Sequence, residues 1–272
     1  MTAASWSTHA LDVGPDTVTK RFRSGSREQS EREWRALTLL DLYAPGLAPA
    51  PRHADLAPDE PVVVMSRLPG GPLRGQRIGD RQLDALASAV SKVYEAVPAH
   101  ALGEVPVRPG HRQYLAARIG DWAPRARPRV GPEVGRAMDC GLEWLAGAGI
   151  ADAGPPDVRP VFGPGDGNLA NYLWDGNRVR IVDFEESGRS DRPLELAEIT
   201  EHVAAWVDEP LDAEAFLGRF DLDASERPLL LETRRLLALV WLFLLSFDHP
   251  DHPRNPPGTV ERQAARLSRL LA

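Results

Sequence analysis

Residues 162–186 read F-G-P-G-D-G-N-L-A-N-Y-L-W-D-G-N-R-V-R-I-V-D-F-E-E, and this stretch decides the fold. Its middle predicts a β-hairpin, because two short runs with β-branched and aromatic residues flank a D-G turn signal. A turn centred on residues 176–177 places Asp183 opposite Ala170 and beside Asn171. Directly opposed residues of an antiparallel pair have Cβ atoms about 5 Å apart. The hairpin is therefore expected to bring the two ends of the stretch together.

Three side chains that carry oxygen ligands are expected to meet there. Asp166 lies in a glycine-flanked loop shortly before Asn171, and Asp183 follows the second strand. Each aspartate alone is typical of a turn or a helix cap. Two carboxylates and one carboxamide together favour a site for Mg²⁺ and phosphate chemistry, because hard cations prefer oxygen ligands.

The order of the motifs resembles the aminoglycoside phosphotransferase family of protein-kinase-like enzymes, whose usual pattern is H-G-D-x-x-x-x-N, then I-D-[FW], then G-D-P-x-x-D-L-A. The chain has G-D-G-N-L-A-N at 165–171, V-D-F-E at 182–185 and G-R-S-D-R-P-L-E-L-A at 188–197. The resemblance implies an α+β, bilobal protein-kinase-like fold with a reduced N-terminal β-lobe and a mainly helical C-terminal lobe. It implies a small, β-rich nucleotide-binding lobe at 1–66 and a helical catalytic and substrate lobe at 67–272.

The same resemblance implies roles for the three clustered residues. Asp166 would be the catalytic base that accepts or orients the substrate hydroxyl, while Asn171 and Asp183 would hold the Mg²⁺ that bridges the nucleotide phosphates. Two departures from the usual pattern stand out. Pro164 occupies the position of the histidine, which changes how the loop is braced, and Glu185 occupies the position of the glycine of D-F-G in protein kinases.

Three acids after the hairpin are candidates for contacts to the substrate: Glu185, Glu186 and Asp191. Solvated surface is the alternative for Glu185, and bracing of the catalytic loop is the alternative for Asp191. The acids belong to a larger bias, since residues 183–216 hold eleven acids against two arginines. The resemblance implies that such carboxylates bind a polycationic sugar.

Most of the remaining acids have a simpler interpretation. Glu195, Glu198 and Glu201 recur at helical spacing, which predicts the solvent face of a helix over residues 194–207. Residues 108–136 have the opposite bias, with seven arginines against two acids. A solvated basic face is the ordinary interpretation of that segment, and binding of an anionic substrate is the alternative.

The first lobe is predicted to begin with a hairpin over residues 8–22. Alternation in its second strand places Lys20 on one face with Val18 and Phe22, while Arg21 faces water. An ammonium group between apolar neighbours needs a carboxylate or phosphate partner. Glu33, in the next helix, is a candidate for the carboxylate partner.

That helix is predicted to open near Ser26 or Ser30 and to run to about Tyr43. Glu33 falls on one helical face with Leu37 and Leu40. We therefore predict a Lys20–Glu33 pair, which by resemblance positions the α- and β-phosphates. A capping box formed by the motif at residues 30–33 is the alternative for Glu33.

Residues 61–65 predict a buried strand by their β-branched content, and P-G-G follows in a linker. By resemblance, Met65, Ser66 and Leu68 offer backbone groups to the adenine edge. One expected element is missing, because residues 2–7 contain no glycine where the family has a glycine-bearing phosphate loop. This argues against efficient ATP turnover and leaves an inactive nucleotide-binding pseudokinase with a regulatory role as the alternative function.

Length, composition and net charge limit the classes of protein to which the chain can belong. Its 272 residues with 43% apolar content allow a substantial core, and a net charge of −7 argues against nonspecific nucleic-acid or anionic-membrane binding. A single cysteine, Cys140, excludes an internal disulfide. No secretory leader is visible at residues 1–7 and no apolar run is long enough for a bilayer, which predicts a cytoplasmic protein. The Asp- and His-rich residues 248–252 are interpreted as a turn rather than as a metal site.

Together these patterns predict a Mg²⁺-dependent small-molecule kinase that transfers the γ-phosphate of ATP, or of GTP, to a hydroxyl group. A cationic antibiotic is one expected substrate class, and other small hydroxylated metabolites are the other. The expected partners are a nucleoside triphosphate and a small-molecule substrate, without nucleic acid or membrane. A peptide-phosphorylating kinase is disfavoured, because residues 183–197 leave no room for a long activation loop.

Overall fold

The computed structural model describes residues 9–248 and 254–272. Its strands are β1 Ala10–Val13, β2 Thr17–Arg21, β3 Pro51–Asp55, β4 Val62–Ser66, β5 Gly71–Pro72, β6 Pro160–Gly163, β7 Tyr172–Trp174, β8 Val179–Ile181 and β9 Gly188–Asp191. Its helices are α1 Arg27–Tyr43, α2 Asp80–Ala96, α3 Ala99–Gly103, α4 Arg112–Ala126, α5 Pro132–Ala148, α6 Arg192–Glu201, α7 Ala213–Leu217, α8 Glu226–Ser246 and α9 Thr259–Leu271. The fold is therefore α+β, with the strands concentrated in the N-terminal part.

The N-terminal part is an antiparallel sheet in the order β1-β2-β4-β3, with α1 packed against β3 and β4. The predicted first hairpin is confirmed, and its register pairs Leu11 with Lys20. Strand alternation buries Lys20 and Phe22 and exposes Arg21, as the sequence predicts. Strand β4 ends at Ser66, where the predicted boundary between the lobes falls. The division into two lobes at that residue stays a prediction.

The second hairpin is formed by β7 and β8. Its register pairs Tyr172 with Ile181, which is the register that the turn centre at residues 176–177 predicts. The pairing continues beyond the strands, because the N–H of Val182 donates to the carbonyl of Asn171 at 2.9 Å. Asp183 therefore lies beside Asn171, at the end of the loop that contains Asp166, as the sequence predicts.

The C-terminal part is built around α8, which packs against α4, α6 and α9. Helix α6 is shorter than predicted, because it ends at Glu201 rather than at residue 207. The predicted solvent face of this helix is wrong. Glu195 is 3% exposed and Glu201 is 0% exposed, since both pair with arginines from other elements.

Two expectations fall outside the described residues. The segment at 2–7, in the place of a phosphate loop, is one of them, and the histidines of the segment at 248–252 are the other. Among the described helices, none combines the length and the apolar character needed to cross a membrane. Cys140 is exposed, and its thiol is free, as expected for the single cysteine of the chain.

Candidate active site

A cleft of about 410 Å³ lies between the N-terminal sheet and the loop that precedes β7. Its apolar lining includes Leu11, Val13, Val18, Pro49, Met65, Leu68, Ala170, Leu173 and Val182. Its polar lining includes Lys20, Glu33, Ser66, Arg67, Asp166, Asn168, Asn171, Asp183 and Glu185. The structure thus brings all eight of the predicted catalytic, metal and nucleotide residues into one cleft, although they come from distant parts of the sequence.

Lys20 lies at the centre of a buried cluster of acids. Its Nζ is 3.1 Å from Oε2 of Glu33 and 2.7 Å from Oε2 of Glu185, and it also contacts Asp183. The predicted Lys20–Glu33 pair is therefore present, and the capping-box alternative is wrong because Ser26 precedes the helix as its N-cap. Burial acts to lower the pKa of Lys20, but the carboxylates raise it above its ordinary value. The lysine is therefore held as a cation.

The cluster has more negative than positive charge. One carboxylate oxygen from each of Glu33, Asp183 and Glu185 lies within 4.8 Å of the others, around a single ammonium group. Asp183 also has a φ of 70°, the only positive value for a non-glycine residue in the described part of the chain. Strained backbone of this kind is concentrated at functional sites, where the surrounding structure maintains it.

Asp166 is held by its own loop. Its Oδ1 accepts the N–H of Asn168 at 2.9 Å, and its Oδ2 accepts the side-chain amide of Asn171 at 2.9 Å. Because the amide nitrogen of Asn171 faces Asp166, its carbonyl oxygen is the atom left for a cation. Enclosure in the cleft, followed by the charge of Asp183, raises the pKa of Asp166 to about 6. Asp166 is therefore a stronger base than an ordinary aspartate and is still ionised at neutral pH.

Two close approaches fix the shape of this loop. Gly165 has a φ of +86°, and a Cβ there would lie 2.0 Å from the carbonyl oxygen of Glu186. A Cβ on Gly167 would lie 2.1 Å from the carbonyl oxygen of Glu198, in α6. Glycine is required at both positions, because real Cβ atoms do not approach so closely. The loop is therefore pressed between the segment after Asp183 and helix α6.

The predicted hinge residues line the same cleft. Met65 is buried, and the Ser66 hydroxyl accepts the N–H of Ala50 at 2.9 Å. Leu68 follows β4 and faces the apolar half of the cleft together with Leu173. Their contact to an adenine edge stays a prediction.

The candidate substrate acids have three different environments. Glu185 is 9% exposed and contacts His9 at 3.1 Å as well as Lys20, so the solvated-surface alternative is wrong. Glu186 is more open, with its side chain 35% exposed, and accepts a hydrogen bond from Gln29 at 3.0 Å. Asp191 is buried and bonded to other parts of the protein.

Asp191 joins three elements. Its Oδ1 accepts the N–H of Leu194 and caps α6, while both its oxygens accept hydrogen bonds from Arg112 at 2.6 and 2.7 Å. This environment supports the bracing alternative over contact with a substrate. Arg112 also donates to the hydroxyl of Thr233 in α8, so the guanidinium links α4, α6 and α8.

Arg108 contacts the loop of Asp166 from the other side. Its guanidinium donates to the carbonyl of Gly165 at 2.7 Å, and to Glu195 at 2.9 Å and Glu198 at 2.8 Å. The other oxygen of Glu195 accepts the N–H of Gly165 at 3.0 Å. Both peptide groups of Gly165 are thus held by one buried ion-pair network. Because Pro164 lacks the polar side chain of the usual histidine, we interpret this network as its replacement.

A comparison of the whole chain with known families agrees with this geometry. The family model described as APH, phosphotransferase enzyme family, matches residues 4–231, which is most of the chain. The chain belongs to the phosphotransferase enzyme family. No curated protein sequence gives a significant match to it.

Solved structures share the fold of this phosphotransferase at low sequence identity. A choline/ethanolamine kinase family protein from Mesorhizobium loti is 19% identical with a TM-score of 0.63, covering 97% of this chain and 85% of that chain. The choline kinase LicA from Streptococcus pneumoniae is 15% identical with a TM-score of 0.61, covering 99% and 91%. A thermostable mutant of aminoglycoside phosphotransferase APH(4)-Ia, in ternary complex with ADP and hygromycin B, is 16% identical with a TM-score of 0.59, covering 97% and 93%. The protein-kinase-like fold predicted from the sequence is confirmed.

Some residues of the phosphotransferase site were not found from its sequence. The predicted solvated basic face is wrong for Arg108 and Arg112, since they are 3% and 5% exposed. His202, whose Nε2 lies 3.7 Å from Oδ1 of Asp166, was not singled out at all. The sequence contains no local signal for these contacts, because each joins segments that are far apart along the chain.

Proposed function

We propose that this phosphotransferase is a Mg²⁺-dependent small-molecule kinase that transfers the γ-phosphate of ATP or GTP to a hydroxyl group. The observation that carries the proposal is the single cleft lined by Lys20, Asp166, Asn171 and Asp183. Phosphoryl transfer needs a cation on the phosphates, ligands for a metal and a group that orients the nucleophile. These four side chains offer all three.

The proposed binding of a nucleotide is supported by the apolar side of the cleft. Leu11, Val13 and Met65 of the sheet line this side together with Leu173 of the second hairpin, and they offer a planar base an apolar surface. The related APH(4)-Ia structure is a complex with ADP, in agreement with this assignment. We propose residues 1–66 as the nucleotide-binding lobe.

The proposed binding of Mg²⁺ is supported by the oxygen ligands in the cleft. Asp183 and the carbonyl oxygen of Asn171 are the hard oxygen ligands that Mg²⁺ prefers, and the excess of negative charge around Lys20 fits an added cation. When bound, Mg²⁺ would supply charge neutralisation on the nucleotide phosphates. Lys20 would add its own positive charge, because neighbouring carboxylates keep it protonated.

Asp166 performs the remaining step. Its carboxylate orients the acceptor hydroxyl and takes its proton as the hydroxyl oxygen bonds to the γ-phosphorus and the bond to the leaving diphosphate breaks. Hydrogen bonds from Asn168 and Asn171 occupy one lone-pair direction on each oxygen and hold the carboxylate plane fixed. The raised pKa of about 6 makes this proton transfer more favourable than for an ordinary aspartate.

The ion pairs of α6 bear on which acids are free to contact the acceptor. Glu195, Glu198 and Glu201 are paired with arginines, so they offer no free carboxylate to a polycationic sugar. Of the three predicted substrate acids, Glu186 has the most open carboxylate, and we propose it as the acceptor contact. The acceptor is therefore a small hydroxyl compound that does not depend on a ring of acids.

One observation favours a second candidate, a nucleotide-binding protein without transfer. The ammonium of Lys20 is surrounded by Glu33, Asp183 and Glu185, so a phosphate must displace a carboxylate before it can bind there. A protein that retains nucleotide in this arrangement without turnover would act as a nucleotide-regulated binder.

The two candidates are separated by phosphate transfer from γ-labelled ATP and GTP to a panel of aminoglycosides, nucleoside antibiotics and small amino alcohols. Labelled product formed in the presence of Mg²⁺ supports the kinase and identifies its acceptor class. Nucleotide binding by calorimetry without transfer to any acceptor supports the binder. Absence of both would contradict the assignment of the cleft itself.

A further inference from the structure

The ring of His202 is fixed by contacts from two sides. It directly follows α6, where its Nδ1 accepts the backbone N–H of Ala204 at 3.0 Å. Trp241 of α8 packs against it edge-on, with ring centroids 4.5 Å apart. Because Nδ1 is an acceptor, the proton of the neutral ring lies on Nε2. The imidazole therefore presents an N–H donor in one defined direction.

The Nε2–H of His202 points toward the loop that contains Asp166. The Nε2 of His202 lies 3.7 Å from Oδ1 of Asp166, and the side chain of His202 is only 10% exposed. Burial, with the nearby charge of Arg74, lowers the pKa of the imidazole to about 3, so the ring is neutral at working pH. A neutral donor orients the carboxylate without forming an ion pair that would lower its basicity.

The distance is maintained by close backbone contact between the two elements. Gly167 touches the backbone of Glu198 so tightly that no Cβ fits between the loop and α6. Asp166 immediately precedes this contact, and His202 follows it within one helical turn. This contact holds the two backbones close together, and a separation of 3.7 Å needs a shift of less than 1 Å to become a hydrogen bond.

We propose that His202 is a positioning residue for the transfer reaction, in which its Nε2–H donates to Oδ1 of Asp166 and holds that carboxylate toward the acceptor hydroxyl. This inference rests on the proposed kinase function. In apo structures catalytic hydrogen bonds are often long and shorten in the complex with substrate. The loop has Pro164 in place of the usual histidine, and the imidazole near Asp166 comes from the residue that follows α6.

Two substitutions separate the positioning role from a structural one. The amide of His202→Asn can replace Nδ1 and keep the contact to Ala204, but it loses the donor toward Asp166. The longer amide of His202→Gln can replace Nε2 and keep the donor, but it loses the contact to Ala204. We expect His202→Asn to lower kcat by about tenfold or more with the nucleotide KM unchanged. His202→Gln should restore most of that turnover despite a lower melting temperature.

A structural role alone gives the opposite order, because the variant with the lower melting temperature would then be the less active one. Such an order, or equal kcat for both variants and the wild type, would overturn the proposal. His53→Asn, at an exposed position on β3, is the matched control and should equal the wild type. In an Asp166→Asn background, His202→Asn should cause no further loss of turnover, because the histidine acts through the aspartate.

A readout without turnover keeps this inference separate from the proposed function. In protein labelled with ¹⁵N-histidine, we expect His202 to show a protonated Nε2 and a bare Nδ1. The Nε2–H resonance should shift in Asp166→Asn. A protonated Nδ1, or an unchanged resonance in that variant, would overturn the positioning contact. If the wild type transfers no phosphate while the resonance does shift, the proposed function fails and the contact between the two residues stands.

Discussion

The carboxylate of Glu33 accepts a hydrogen bond from the backbone N–H of Phe184 at 2.9 Å. The same oxygen accepts the Lys20 ammonium at 3.1 Å. One buried side chain of α1 therefore fixes both the lysine of the N-terminal sheet and the backbone next to Asp183. The geometry of the cleft depends on this acid, since it is the common partner of two segments that come from different parts of the chain.

Glu33→Gln tests this relationship. The amide oxygen can still accept from Phe184, but the ion pair that positions Lys20 is lost, with one of the three negative charges around the lysine. We expect Mg²⁺–nucleotide affinity to fall by about tenfold and the free energy of unfolding to fall by about 1–3 kcal/mol. Glu31→Gln, on the outer face of the same helix, should stay within about 0.5 kcal/mol of the wild type. Calorimetry and urea unfolding measure both quantities, and wild-type nucleotide affinity in Glu33→Gln would contradict the assigned role.

Arg108→Met tests the network that braces the catalytic loop. Removal of the guanidinium leaves Glu195 and Glu198 buried without their cation, which costs about 3–5 kcal/mol of unfolding free energy. The activity should fall as well, because Gly165 loses one of its two fixed peptide contacts. Arg118→Met, in an exposed ion pair on α4, is the control and should change stability by less than about 1 kcal/mol. Equal stability of the two variants would show that Arg108 does not brace the loop.

The pH dependence of stability tests the burial of His202. Its folded-state pKa of about 3 lies below its ordinary value of 6.5, so unfolding takes up a proton below pH 6.5. This contribution to stability is present above pH 6.5 and is lost as the pH falls toward 3, by about 2 kcal/mol at pH 5. His202→Gln has no such group, so its stability should fall less than that of the wild type between pH 7 and pH 5. Parallel curves from urea unfolding would contradict a buried neutral ring.

Asp183→Asn tests the metal assignment. At about a hundredfold excess over the dissociation constant, Mg²⁺–ADP should stabilise the wild type by about 2.7 kcal/mol. Most of that stabilisation should vanish in Asp183→Asn, because a neutral amide is a poor ligand for Mg²⁺. Asp41→Asn, at an exposed position of α1, should respond like the wild type. Thermal unfolding with and without Mg²⁺–ADP gives the result, and an unchanged shift in Asp183→Asn would remove it from the metal site.

The sequence predicted those parts of the site that follow from local geometry. The D-G turn fixed the register of β7 and β8, and that register alone placed Asp183 beside Asn171. Strand alternation and helical spacing likewise predicted that Lys20 and Glu33 point inward, because both periods are set by the backbone.

The parts that could not be predicted are contacts between distant segments. Acids at helical spacing in α6 have the same pattern whether they face water or pair with arginines of other elements, so the solvent face predicted for Glu195 and Glu201 is wrong. The arginines that pair with these acids, such as Arg108 and Arg234, lie outside α6. His202 was missed for the same reason, because only the packing of α6 on the catalytic loop brings it to Asp166.

The most direct test of the proposed function compares the wild type with Asp166→Asn in transfer of labelled γ-phosphate to the best acceptor of the panel. Nucleotide affinity is measured in parallel, since the amide has nearly the same shape as the carboxylate. We predict that kcat falls by about 10²–10⁴ while Mg²⁺–nucleotide affinity stays within about threefold. Transfer by Asp166→Asn at the wild-type rate would contradict the assignment of Asp166 as the group that orients and deprotonates the acceptor hydroxyl.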